Sequence, residues 1–205
     1  MRKLTVPISE ATVRALKVGE TVSLSGVIVT GRDAAHKYII ENFVRTSGNP
    51  PQAEREVYAA LKEILRDGVI YHCGPVVQKE GDTWRFVAAG PTTSIREEPY
   101  EADVIEHFGI RAVIGKGGMG AKTLEACQRL GAVYLHAIGG AASLIAQSVK
   151  EVLAVYKQEF GVPEAFWVIR VEDFPAVVTM DSHGNSLHAQ IEQQSEARLS
   201  ELLGK

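Results

Sequence analysis

Ala112-Val-Ile-Gly-Lys-Gly-Gly-Met-Gly-Ala-Lys-Thr-Leu-Glu-Ala-Cys-Gln-Arg-Leu-Gly-Ala-Val-Tyr-Leu-His136 is the stretch that decides the fold. A short apolar run at 112–114 meets a glycine loop, then a helix-forming stretch at 121–130, then a second apolar run at 133–136. Gly139-Gly140 and a further helix at 141–147 repeat the unit. This βαβα rhythm implies parallel strands and an α/β class.

Reading outward, residues 9–17 have weak helical spacing and stop at Gly19, a plausible C-cap. Residues 21–30 alternate and are rich in Val and Ile, as in a strand. Asp33 then suits the N-cap of a helix carrying Ile39, Ile40, Phe43 and Val44. Ser47-Gly-Asn-Pro-Pro51 ends it, and 52–66 reads as another helix. Strands follow at 69–72 and 83–89, divided by the polar turn Lys79-Glu-Gly-Asp82. A helix at 102–108 precedes the deciding stretch. Runs at 152–156, 165–171 and 176–180 read as strands, the last closing at Asp181-Ser-His-Gly-Asn185. The expected organisation is one mixed α/β domain over 1–188 and a polar helical tail over 189–205.

The chain has 205 residues, 45% hydrophobic and 23% charged, which is ordinary for a globular protein. A formal charge of −3 argues against a nucleic-acid binder, which needs clustered Lys and Arg. No run of about 18 apolar residues is present, and the N-terminus lacks a signal-peptide core, so no membrane span is expected. Two cysteines, Cys73 and Cys127, suit a reducing cytoplasm and do not make a cysteine-ligated metal or cluster site.

Three features invite chemistry. Gly115-Lys-Gly-Gly-Met-Gly120 fits a dinucleotide fingerprint, yet no acid stands at the end of the next strand to hold a ribose. What survives is an anion-binding amide cluster containing Lys116 and Gly117, or a plain tight turn. Gly90-Pro-Thr-Thr-Ser-Ile-Arg96 sets three hydroxyls before an arginine. Thr92 becomes a base only if a cation such as Arg96 lowers its pKa, and spacing by itself favours a capping box from Ser94 to Glu97. Gly31-Arg-Asp-Ala-Ala-His36 offers Arg32 as a carboxylate fork, Asp33 as a helix cap and His36 one turn inside. The other histidines show no metal-ligand spacing. Arg32, Arg96 and Lys116 all sit in loops after strands, so one sheet edge can gather them around a dicarboxylate.

These loops in this order, with Ile138-Gly-Gly140 and Val171-Glu-Asp-Phe-Pro-Ala176, resemble the C-terminal half of class I fumarases. They resemble equally the separate β subunits of two-chain fumarases and L-tartrate dehydratases, over roughly residues 4–185. The resemblance implies a swivelling β/β/α domain that closes over a partner, giving a hetero-oligomer. That partner, the α subunit, carries a [4Fe-4S] cluster, and this chain binds none. It implies Thr92 as the base and Arg96 as its activator. Arg32, Lys116 and Gly117 would then bind the substrate, with Asp33, His36 and Thr93 behind them. The implied reaction is hydration of fumarate to malate, or dehydration of tartrate. Glu97-Glu98 departs from the family's usual Met-Asp, and is expected either to alter substrate preference or to face solvent.

Overall fold

The structure, a computed structural model, describes residues 1–204. Its strands are β1 (Arg2–Thr5), β2 (Thr21–Thr30), β3 (Val69–Tyr71), β4 (Val76–Glu80), β5 (Thr83–Ala88), β6 (Ala112–Gly115), β7 (Val133–His136), β8 (Val149–Tyr156) and β9 (Phe166–Met180). Its helices are α1 (Glu10–Arg14), α2 (Asp33–Ile39), α3 (Arg55–Leu65), α4 (Glu101–Phe108), α5 (Ala121–Leu130), α6 (Ala142–Ala146) and α7 (Leu187–Leu202). None is long and apolar enough to cross a membrane, among the described residues.

Seven strands form one sheet in the order β1-β2-β3-β6-β7-β9-β8. From β1 to β7 the neighbours run parallel, as the strand–helix rhythm implies. β9 runs antiparallel to β7, β8 and β2, and its pairing with β2 closes β2, β3, β6, β7 and β9 into a ring. The sheet is therefore mixed.

Because side chains alternate along a strand, the ring divides the core in two. Ile28, Tyr71, Ile114, Leu135 and Ile169 enter one cluster. Their neighbours Val29, Ile70, Val113, Tyr134 and Val168 enter the other, beneath Ile39, Leu61, Val104 and Ala126 of α2 to α5. Each fully buried aliphatic side chain contributes about 1.5–3 kcal/mol, against about 0–1 for an exposed ion pair. Apolar packing thus holds the helical layer in place.

Several expectations need correction. The first helix is a single turn capped by Ser9 and ended by Ala15, well before Gly19. Residues 76–80, expected as loop and turn, form the antiparallel partner of β5, giving a hairpin outside the main sheet. The runs at 165–171 and 176–180 are one strand. Asp173 adopts φ 50° at the break, and its amide donates to the Ser25 hydroxyl at 3.0 Å, so a local irregularity carries the strand past Pro175. The N-cap of α2 is Arg32, with Asp33 its first helical residue. The tail helix begins at Leu187 and buries no side chain of its own. Lys205, the last residue of the expected tail, lies outside the described residues.

Candidate active site

Parallel strands deliver their C-terminal ends to one edge. Arg32 follows β2, His72 follows β3, Lys116 follows β6 and Gly139-Gly140 follows β7. The loop with Thr92 arrives instead from the separate hairpin and is stitched onto this edge by backbone bonds. Thr92 N–H donates to the His72 carbonyl at 2.7 Å, Lys116 N–H to the Thr92 carbonyl at 3.2 Å, and Ser94 N–H to the Lys116 carbonyl at 3.0 Å. Thr93 and Lys116 pair like strand residues. A side chain at Gly115 would collide with the Ser94 hydroxyl, so only glycine lets the two loops meet.

Asp33 joins the Arg32 loop to the same assembly. The Arg96 guanidinium pairs with it: Nε donates to Oδ1 at 2.9 Å, and Nη2 lies 2.7 Å from Oδ2. No hydrogen bond joins Arg96 to Thr92 among the described residues. Only Nη1 of Arg96 is left without a partner, among the described residues. Since Asp33 is occupied, Glu164 does the helix-end work: its Oε2 accepts from Ala34 N–H at 3.1 Å, and its Oε1 lies 3.3 Å from Arg32 Nη2. Arg32 Nε is buried with no acceptor among the described residues. Lys116 has no carboxylate within 4 Å among the described residues. Gly117 is exposed at φ 80°, and a side chain there would meet nothing within 4 Å. The edge thus unites Arg32, Asp33, Thr92, Thr93, Arg96 and Lys116. Two of its three cations already share charge with acids of this chain.

The capping box is absent. Residues 94–97 form one 3-10 turn whose N-cap, Thr93, makes no side-chain cap. Ser94 turns inward, 2.8 Å from His72 Nδ1 and 2.8 Å from the Tyr134 hydroxyl. Beneath the loops, His36 Nε2 and His72 Nε2 each lie 2.9 Å from Glu101 Oε2, and all three side chains are fully buried. Burial alone would raise the Glu101 carboxyl and lower both histidines. The two imidazoles outweigh it at Glu101, which stays low, and Glu101 with Glu97 outweighs it at His36, which rises. At His72 burial wins and the pKa falls.

Neither acid of Glu97-Glu98 faces solvent freely. Glu97 is buried, with neither oxygen hydrogen-bonded, and burial pushes it up to about 7 against the pull of His36. Glu98 caps α5: its carboxylate accepts from Gly120 N–H at 2.8 Å, Lys122 N–H at 3.0 Å and the Thr123 hydroxyl at 2.6 Å. The start of α5, where the sequence offers amides to a phosphate or nucleotide, is thereby capped from within, one carboxylate accepting from Gly120 and Lys122 N–H.

Cys73 and Cys127 are both buried, in opposite cores, and burial pushes both thiols up, Cys73 to about 12. Such a donor set does not suit iron.

Glu101, Glu164 and Tyr134 escaped the sequence reading. A signal for Glu101 was present: it stands at the helical spacing of Val104, Ile105 and Phe108, which places an acid on the buried face of α4. Glu164, far along the chain, carried no such mark.

A family model describing the fumarase C-terminus matches residues 2–191. A Geobacillus stearothermophilus protein named for fumarate hydratase class I is 52% identical over 199 residues, covering 97% of this chain and 35% of that protein. The L(+)-tartrate dehydratase subunit beta of Escherichia coli K12 is 39% identical over 188 residues, 91% of this chain and 86% of the relative. A Methanocaldococcus jannaschii protein named for the same subunit is 41% identical, covering 96% of each chain. This chain therefore spans about a third of the first relative and nearly all of the other two.

Proposed function

Because the chain belongs to the fumarase C-terminus family, we propose that it is the β-type subunit of a hydro-lyase, and that the reaction is hydration of fumarate to malate. The observation carrying this reading is the convergence of Arg32, Thr92, Arg96 and Lys116 on one sheet edge. Among the described residues, Arg32 offers a buried Nε with no acceptor, and Lys116 offers an unpaired ammonium. A substrate carboxylate supplies what both lack, each charge-assisted bond contributing about 1.5–3 kcal/mol. The second carboxylate meets Arg96 at Nη1. In the dehydration direction Thr92 takes the proton from the carbon next to the one that loses hydroxide. In hydration it returns that proton to carbon as hydroxide adds to the other alkene carbon, and Arg96 lowers the cost of charge on the Thr92 oxygen.

The chemistry this chain lacks is electrophilic. A [4Fe-4S] cluster on an α-type partner would supply a Lewis acid there. Docking of that partner would also exclude water from the edge and so strengthen each of its charges.

The 52% relative supports fumarate. A second reading, tartrate dehydration, is favoured by the two relatives whose whole length this chain nearly spans. Anaerobic co-expression with a cluster-type partner, followed by assays on fumarate and L-tartrate, tests both. We expect turnover of fumarate by the assembly and none by this chain alone. Turnover of tartrate only would replace the substrate. A fully active isolated chain would end the two-subunit reading.

A further inference from the structure

Below the cation edge, six groups meet in a line whose donors and acceptors can be ordered from chemistry alone. The Arg32 carbonyl, 2.9 Å from His36 Nδ1, can only accept, so that nitrogen carries a proton. Glu101 Oε2 faces two imidazole nitrogens at 2.9 Å each, and a carboxylate oxygen also only accepts, so both Nε2 atoms carry protons. His36 is then protonated at both nitrogens and is an imidazolium. It forms a buried ion pair with Glu101. His72 is neutral, as burial beside that imidazolium requires, so its Nδ1 is bare and accepts from the Ser94 hydroxyl at 2.8 Å. With its proton spent, Ser94 accepts from the Tyr134 hydroxyl at 2.8 Å.

We propose that this directional chain, from Tyr134 through Ser94, His72, Glu101 and His36 to the Arg32 carbonyl, makes Ser94 and Glu101 positioning residues that hold the Thr92–Arg96 loop in register with the Arg32 loop. Its course supports that role. Ser94 lies two residues from Thr92 and fits against the bare Cα of Gly115, beside Lys116. His72 sits at the end of β3, where its own carbonyl anchors Thr92 N–H. His36 stands on α2, one turn from Arg32. The three substrate-facing loops therefore rest on one hydrogen-bonded spine, fully buried at His36, His72, Ser94 and Glu101. No member of it is exposed enough to touch substrate, so it acts through Thr92, Arg32 and Lys116. Glu101 Oε1 is left without a partner among the described residues, but every side-chain link from Tyr134 to His36 is made, and a buried chain of such bonds rigidifies what it joins.

The positioning role rests on the hydro-lyase reading, and the test separates the two. Long-range ¹H–¹⁵N correlation spectra of the full chain near pH 7 report each histidine's protonation. We expect His36 doubly protonated and His72 as the Nε2–H tautomer. A neutral His36, or His72 protonated at Nδ1 alone, would overturn the chain of bonds. So would loss of both Nε2 protons on adding Zn²⁺, since Glu101 and the two Nε2 atoms would then be a metal site. In Ser94→Ala, His72 loses its donor. We expect its tautomer balance to shift, and kcat of the assembled enzyme to fall about tenfold with KM changed less than about twofold. An unshifted His72 with unchanged kcat would overturn the proposal. An inactive wild-type assembly that keeps both histidine signatures would sink the hydro-lyase reading and the positioning role with it, and leave the hydrogen-bond chain supported.

Discussion

Two layers of charge lie a few ångströms apart and obey different rules. At the rim, Arg96 and Asp33 form an ion pair whose side chains are 53% and 35% exposed. In the layer below, His36, Glu101 and His72 have no exposure at all. Water screens the rim, so its ions exchange partners at little cost and a substrate carboxylate can compete for them. The lower layer has no such freedom, because a charge stripped of its partner there has no water to turn to. The difference teaches that similar side chains serve ligand exchange above and geometry below.

The sharpest way to break the comparison is to delete function at the rim without touching the fold. Thr92→Ala should lower kcat of the assembled enzyme about 10³-fold, within the range usual for loss of a general base, and leave the urea midpoint unchanged. Full activity in that variant would remove Thr92 from the mechanism. In the lower layer the outcome should invert. Glu101→Gln leaves His36 without its carboxylate and should cost about 3–5 kcal/mol of stability, read from equilibrium urea unfolding. A loss below about 1 kcal/mol would mean the buried pair is uncharged.

A pH series sharpens the contrast. Burial raises Glu97 to about 7 from 4.5, so its favourable neutral form is complete below 4.5 and is lost as pH rises through 7. Despite burial, Glu101 and Glu97 raise His36 to about 9 from 6.5, so its contribution is full below 6.5 and fades as pH rises through 9. Glu101 is held low and contributes above its ordinary 4.5. Burial lowers His72, so its contribution is full above 6.5 and is lost as pH falls. Stability should therefore peak at about pH 6 to 7 and decline toward pH 9. Glu97→Gln should flatten the part of that decline below about pH 7 and stabilise the chain at pH 8 by about 1 kcal/mol. A steeper decline in this variant would show that the acid supports His36 more than burial opposes it. The smallest effect belongs to the rim pair: Asp33→Asn should change stability by less than about 1 kcal/mol. A larger loss would move Asp33 into the lower layer.

Much of this arrangement was legible in the chain. The strand–loop–helix rhythm from 112 to 136 announced parallel strands, and that order alone brings Arg32 and Lys116 to one edge. The buried histidine at 36 and the acid at 101 each sit on an apolar helical stripe, a mark carried by the periodicity of the sequence itself.

Local sequence failed wherever one group had two candidate partners. Ser94 and Glu97 match a capping box, yet Ser94 gives its hydroxyl to His72 and Glu97 is drawn into the interior. Asp33 matches a helix cap, yet Arg96, 63 positions along the chain, takes it, and Glu164 caps in its place. Glu98 stands between two loops and serves the far one. The partner that wins stands on a segment brought near only by folding: Asp33 gains a charge-assisted pair with Arg96, Ser94 a buried bond to His72, and Glu98 the free amides at the start of α5. Periodicity and glycine placement are written in neighbouring residues, so the sequence by itself determined the parallel strands, the helices between them and the edge that holds Arg32 and Lys116. Which carboxylate meets which cation depends on distances between segments far apart in the chain, and only the tertiary structure decided that.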